Sequence, residues 1–267
     1  MNKIYTFFLL FLSTSLSVFA QSGDGCDGQR YVSPIFPEVE KTTVQYGSNT
    51  SFSGTEQALF MDVYEPAGDA QSQRPVIVMA HAGAFVEGER SDLEDLCITF
   101  AQRGYVAATI DYRLLPDPFA LGFPPDTLLA LDLIIKDVSD MKAAVRYFRQ
   151  DAATTDQFRI DPEQVFVGGA SAGAIISLHV AYLDESDDIP DYLSEIITNN
   201  GGFEGNSSDS LNLQYSSEVS AVLNLSGSIY REEWMSEGDP LLASYHGTAD
   251  QVVPYGNGFL SSGAGPI

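Results

Sequence analysis

The sequence predicts an α/β domain built on an open, doubly wound, mostly parallel sheet. Short, nearly continuous apolar runs recur at residues 75–80, 105–110, 165–167, 219–225 and 241–245, and runs of that kind mark strands covered on both faces. Helical patterns lie between them. Strands that alternate with helices call for right-handed crossovers and one sheet with helices on both sides. A length of 267 residues suits a single such domain, and no repeat or low-complexity tract interrupts it.

Residues 1–20 carry one basic residue, Lys3, an apolar run over 4–12, and Val18-Phe19-Ala20 before Gln21. That is the layout of a signal peptide cleaved after Ala20, and the apolar stretch is too short for a comfortable bilayer anchor. The expectation is a secreted or periplasmic protein whose mature domain occupies 21–267, with no membrane span after signal removal. With 37 acidic against 13 basic side chains the formal charge is −24, which repels nucleic acid and anionic lipid and excludes a nucleic-acid partner. The acidity keeps an exported protein soluble and says nothing of its substrate. In an oxidising compartment Cys26 and Cys97 permit one disulfide, worth about 4 kcal/mol by loop closure. Cys97 falls on the apolar helix face Leu93, Leu96, Cys97, Phe100 and Ala101, so a buried free thiol is the alternative.

The sheet opens with an antiparallel pattern over 42–65. Ser91-Asp92-Leu93-Glu94 has capping-box spacing for the first helix, and Gly104 stands where that helix hands over to the next strand. A second helix is expected over 126–149 and a third, apolar nearly all round, over 172–183. Phe119 and Phe123, in the Pro- and Phe-rich stretch 114–125, either wall a pocket or pack on the surface. Residues 184–217, acidic and then rich in Gly, Ser and Asn, read as a lid over a pocket or as a solvated insertion.

Chemistry enters with Gly169-Ala170-Ser171-Ala172-Gly173, set between the apolar run 164–168 and the helix-forming run 174–182. A strand, a sharp turn and a helix with small residues around the serine is what a nucleophile elbow requires. Acyl transfer by serine also needs backbone donors for an oxyanion, a general base, and an acid to orient that base. His81-Ala82-Gly83-Ala84-Phe85 follows the first buried strand as a loop of small residues with successive N–H groups. His246-Gly247-Thr248-Ala249-Asp250 follows the last strand run, which puts Asp250 after the serine in the order nucleophile, acid, histidine.

Together these motifs resemble an α/β-hydrolase carboxylesterase of the hormone-sensitive-lipase-like, bacterial esterase type, over roughly residues 61–254 and in that family's order. His81 to Phe85 stands for its His-Gly-Gly-Gly loop, Asp111-Tyr112-Arg113-Leu114 follows the next strand, and the elbow and acid loop come after. The resemblance implies Ser171 as nucleophile, Asp250 as triad acid, and the N–H groups of Gly83, Ala84 and Ala172 as the oxyanion hole. It implies a small-molecule ester as substrate, and no metal or organic cofactor.

Two departures stand out. Alanines occupy positions 82 and 84 where the family has glycines, which costs about 1 kcal/mol wherever the loop needs positive φ. The family's histidine follows a last strand beyond the acid, whereas this sequence has only His81, His179 and His246. His179 lies about 12 Å along its helix from Ser171, His81 opens the oxyanion loop, and His246 shares a turn with Asp250. The expectation is therefore an α/β-hydrolase fold lacking its last strand and helix, with the catalytic histidine beyond Ile267. Alternatives are a catalytically silent binding protein on the same scaffold, a peptidase, or an esterase of polysaccharide side groups.

Overall fold

The computed structural model describes residues 28–117, 126–208 and 212–258. Strands β1 (Val39–Thr50) and β2 (Glu56–Pro66) form an antiparallel hairpin with an irregularity between Gln45 and Gly47. β2 pairs antiparallel with β4 (Val106–Ile110). From there the sheet is parallel through β3 (Arg74–Ala80), β5 (Ile160–Ala170), β6 (Ala221–Leu225) and β7 (Leu241–Tyr245). Among the described residues the order is β1-β2-β4-β3-β5-β6-β7. The chain steps from β3 outward to β4 and then returns to β5 on the other side. That reversal opens a crevice at the C-terminal ends of β3 and β5, where open α/β sheets bind ligands.

Period-two alternation explains how one apolar run feeds two cores. On β3, Val76, Val78 and Ala80 join the larger cluster with Met141, Val145, Phe148 and Ile176, while Ile77 and Met79 face Cys97 and Ala101. The larger cluster is covered by α2 (Thr127–Ala153) and α3 (Ala172–Tyr182), the smaller by α1 (Glu94–Ala101). Asp126 caps α2 by accepting from the N–H groups of Leu128 and Leu129.

The first helix starts differently from its expected Ser91 cap. A 3₁₀ turn, Arg90–Leu93, precedes α1, and the box forms two residues earlier, with Glu89 N–H donating to Asp92 Oδ2 at 3.0 Å. β7 also departs from its sequence pattern. Its run was expected to be covered on both faces, yet every residue is exposed, with Leu241 at 77% and Tyr245 at 68%. It is the edge of the described sheet, and no described helix lies over it.

Within 184–217, α4 (Asp191–Asn199) packs on α2 through Leu131, Ile135, Leu193 and Ile197, together with Trp234. Residues 203–208 are fastened to α2 by buried polar groups. Arg146 donates to the carbonyls of Glu204 and Ser207, and Ser139 Oγ accepts from the N–H groups of Asn206 and Ser207. Residues 203–208 thus form a strap tied to α2, with Gly205 and Ser207 buried and Glu204 and Asn206 exposed. Cys97 is fully buried, but Cys26 lies outside the described residues, as do residues 1–20, Phe119 and Phe123. No helix among the described residues is long and apolar enough to cross a membrane.

Candidate active site

Ser171 sits between β5 and α3 with φ 51° and ψ −115°, a conformation that costs a non-glycine residue of order 1–3 kcal/mol and persists only where the surroundings dictate it. The neighbouring glycines do so. A Cβ on Gly173 would stand 2.0 Å from the Ala80 carbonyl oxygen, and one on Gly169 would stand 2.3 Å from the Gly173 carbonyl carbon. The turn is thus pressed against the end of β3. Ser171 N–H donates to Leu225 O at 2.9 Å, which ties the elbow to β6 as well.

The loop after β3 turns as sharply. Gly83 has φ +128°, and a Cβ there would fall 1.8 Å from Glu87 O. Ala84 and Phe85 follow with φ 51° and 65°, while Ala82 is not among the residues of positive φ. Of the two alanines that replace glycines, Ala84 alone bears the strain. Gly83 O accepts from the N–H groups of Val86 and Glu87 at 3.0 and 3.1 Å. The N–H groups of Gly83 and Ala84 meet no described acceptor, and Ala172 presents the first N–H of α3, at the positive end of its dipole. The Gly83 and Ala84 N–H groups follow β3 and the Ala172 N–H follows β5, and the two strands pair directly up to Ala80 and Gly169, so the loop and the elbow start side by side at the C-terminal edge of the sheet.

Asp250 lies in the loop after β7. Its Oδ1 accepts from the N–H groups of Val252 and Val253 at 2.8 and 3.0 Å, and its Oδ2 is 3.4 Å from His246 Nε2. Those backbone donors first, and His246 after them, hold its pKa below the usual carboxylate value. The group is an oriented, ionised acid. β6 lies between β5 and β7, so the strands that lead into the loops of Ser171 and Asp250 are two spacings, about 10 Å, apart and leave a gap between the loops. An imidazole with a hydrogen bond on each nitrogen fills a gap of that kind.

None of the three histidines is free to fill it. His179 is buried, its Nδ1 against Ile175 O at 2.7 Å and its Nε2 accepting from Tyr230 N–H at 3.2 Å. Burial pushes its pKa down to about 4. His81 is buried and stacked on Tyr112. Pairing of Ala170 with Leu225 and of Leu225 with Tyr245 brings His246 into the row of Ser171, yet its Nε2 is turned to its own loop, 2.8 Å from Val253 O. His246 lines a cavity of about 740 Å³ with Ile175, Leu178, His179, Asn224 and Tyr255. That cavity starts one turn into α3, on the acid side of the site.

Sequence reasoning missed the residues that hold the oxyanion loop, above all Arg90, Asp62 and Thr109. Thr109 lies inside an apolar strand, a visible signal, whereas Asp62 alternates away from the core face of Leu59, Met61 and Val63 and its burial is not legible from the pattern of β2.

The BD-FAE family model matches residues 61–238, which contain the oxyanion loop and the elbow. The chain belongs to the BD-FAE family. This is an α/β-hydrolase esterase family. Among curated proteins, this BD-FAE member is 31% identical to Esterase-5C of Drosophila miranda over 52% of this chain and 24% of that one. It is 27% identical to the non-reducing polyketide synthase atr1 of Stereocaulon alpinum over 48% of this chain and 5% of that one. The match therefore spans about a quarter or less of these relatives. Among solved structures, the apo form of Thermogutta terrifontis esterase 2 superposes with a TM-score of 0.56 at 22% identity, covering 82% of this chain and 75% of that one. The same esterase phosphorylated by paraoxon gives 0.54 at 23%, covering 82% and 74%. At such identities the likeness is one of fold, and it agrees with the α/β-hydrolase sheet.

Proposed function

We propose that this protein is an exported serine hydrolase that cleaves small carboxylic esters through an acyl-enzyme on Ser171. The observation that carries the reading is the elbow, a serine held at φ 51° by two glycines that admit no Cβ, and we assign the N–H groups of Gly83, Ala84 and Ala172 as its oxyanion hole. Membership of an esterase family and the esterases among its relatives support it.

Ser171 Oγ attacks the ester carbonyl carbon as a histidine takes its proton. The carbonyl oxygen becomes an oxyanion and accepts from the three N–H groups. Asp250, ionised and fixed by Val252 and Val253, accepts from the second nitrogen of that histidine and stabilises the imidazolium. The histidine returns its proton to the departing alcohol, and water then hydrolyses the acyl-enzyme by the same route. The base is a histidine carried by a segment beyond Ile267. Support comes from the commitment of His81, His179 and His246 to other contacts, and from the gap between the loops of Ser171 and Asp250. The same commitment favours a second reading, a silent binding protein on this scaffold.

The test uses protein that continues past Ile267. It is expected to hydrolyse p-nitrophenyl acetate and to take a fluorophosphonate label on Ser171, and Ser171→Ala abolishes both. Labelling weakens when the chain stops at Ile267. Equal turnover by Ser171→Ala ends the serine mechanism, and absence of label in every form favours the silent reading. Intact mass of protein recovered outside the cytoplasm is expected to begin at Gln21.

A further inference from the structure

The oxyanion loop holds three successive residues of positive φ, Gly83, Ala84 and Phe85, of which two carry a Cβ. Such a run is not self-supporting, so the contacts that over-determine it are of interest. At the start, middle and end of the loop they come from the 111–115 turn that follows β4. At the start of the loop, the His81 ring stacks on Tyr112 with centroids 4.3 Å apart, and Tyr112 donates its hydroxyl proton to His81 O at 2.9 Å. In the middle, Leu115 N–H donates to Phe85 O at 2.9 Å. At the end, Arg90 N–H donates to Asp111 Oδ1 at 2.9 Å and its guanidinium pairs with Asp111 Oδ2.

The turn is itself immobilised. Asp111 N–H donates to Phe60 O, Tyr46 donates to Asp111 O, and Arg113 forms a buried ion pair with Asp140 of α2. Arg90 gains two further anchors, the hydroxyl of Thr109 on its carbonyl and Asp62 Oδ1, 3.0 Å from its Nε. His81, Thr109, Tyr112 and Arg113 are each 1–2% exposed. These buried polar contacts are therefore poorly replaced by water when broken.

We propose that the 111–115 turn is the template that sets the oxyanion loop, with Arg90 and Tyr112 as positioning residues for transition-state stabilisation. The inference rests on the esterase reading for its catalytic meaning, and on geometry alone for the clamp. Neither side chain is asked to touch substrate. Their work is to keep the Gly83 and Ala84 N–H groups aimed at the spot where the oxyanion forms. A loop released at either end would still bind an ester but would present its donors in a spread of orientations, which loses kcat rather than KM.

Hydrogen exchange and steady-state kinetics on the full chain separate the two parts. In Arg90→Met and in Tyr112→Phe, exchange of amides in residues 81–90 is expected to rise about tenfold or more, with β5 and α3 unchanged. On p-nitrophenyl acetate, kcat is expected to fall about tenfold in each, less than loss of a whole oxyanion donor, with KM within about threefold. Arg90→Lys, which keeps the charge but cannot span Asp62 and Asp111 together, recovers part of both losses. Should Arg90→Met fail to fold, Tyr112→Phe decides the question, because it removes a single hydroxyl. Unchanged exchange in 81–90 overturns the clamp. Faster exchange with unchanged kcat overturns the positioning role. If the unaltered protein shows no esterase activity, the esterase reading fails while exchange still decides the clamp.

Discussion

The two sides of the candidate site are built to different standards. On the β3–β5 side, β3 and its neighbour β4 are buried along their length, the elbow and the 81–90 loop hold non-glycine residues at positive φ, and polar contacts pin each end of that loop. On the β6–β7 side, Asp250, the proposed acid, lies in the loop after an exposed edge strand, and its orientation comes from two N–H groups of that loop. The nucleophile side stores strain because dense packing pays for it. On the acid side Ser226, just after β6, is at φ 60°, but no residue of the described loop 246–253 is at positive φ, so the geometry of that loop depends on its own turn.

The largest expected effect tests the acid side. If Asp250 orients the base, Asp250→Asn lowers kcat by on the order of 10³–10⁴-fold with KM little changed. Because its carboxylate is partly exposed and bonded only within its own loop, the melting temperature should move little. Activity that survives the substitution places the acid elsewhere.

Next in size is a matched pair of glycines. Gly173→Ala puts a Cβ 2.0 Å from Ala80 O, backbone that cannot retreat without moving β3, and should cost at least about 3 kcal/mol. Gly247 has nothing within 4 Å of a built Cβ, so Gly247→Ala should stay within about 0.5 kcal/mol. Denaturant melts of the two variants compare the sides directly. Equal costs would mean that the acid loop is as tightly packed as the elbow.

The fold was legible because its strands announce themselves as apolar runs and its helices as wide apolar faces. The elbow was legible because Gly169 and Gly173 are needed for contacts that no other residue permits. What the sequence hid is polar and long-range. Arg90 reaches Asp62 and Asp111 from the far end of a loop, and nothing in its neighbours signals that. Tyr112 looks like another aromatic after a strand. The exposure of β7 was equally hidden, since Leu241 and Leu242 read as core and an edge is a property of the sheet's order rather than of the strand's composition.

pH is expected to act on two buried groups with opposite sign. His179, which anchors Tyr230 on the β6–β7 side, titrates near 4 when folded because burial disfavours its charged form. The unfolded chain, titrating near 6.5, binds the proton more tightly. Stability is therefore lost as pH falls from about 6.5 to 4, by about 3 kcal/mol in full. Asp137, on α2, has both carboxyl oxygens buried without partners. Burial, and then Asp140, hold its pKa well above the usual value. Here the folded state keeps the proton, so stability falls as pH rises above about 4 toward the folded pKa. His179→Gln should flatten the acid limb of a plot of melting temperature against pH, and Asp137→Asn the limb that descends with rising pH. An unchanged acid limb in His179→Gln, or an unchanged descending limb in Asp137→Asn, would refute the corresponding assignment.

The smallest effect separates two alanines that the sequence could not tell apart. Ala84 has φ 51°, whereas Ala82 is not at positive φ. Replacing Ala84 by Gly relieves about 1 kcal/mol of left-handed strain and gives the unfolded chain about 0.4–1 kcal/mol of extra freedom, so a small net stabilisation is expected. Ala82→Gly relieves nothing and meets only the entropic penalty, so it should destabilise by about 0.4–1 kcal/mol. The difference between the variants, about 1 kcal/mol, should separate their melting temperatures by about 2–4 °C. A reversed order would show that the loop is strained at Ala82 rather than at Ala84, and the N–H group aimed at the oxyanion would have to be reassigned with it.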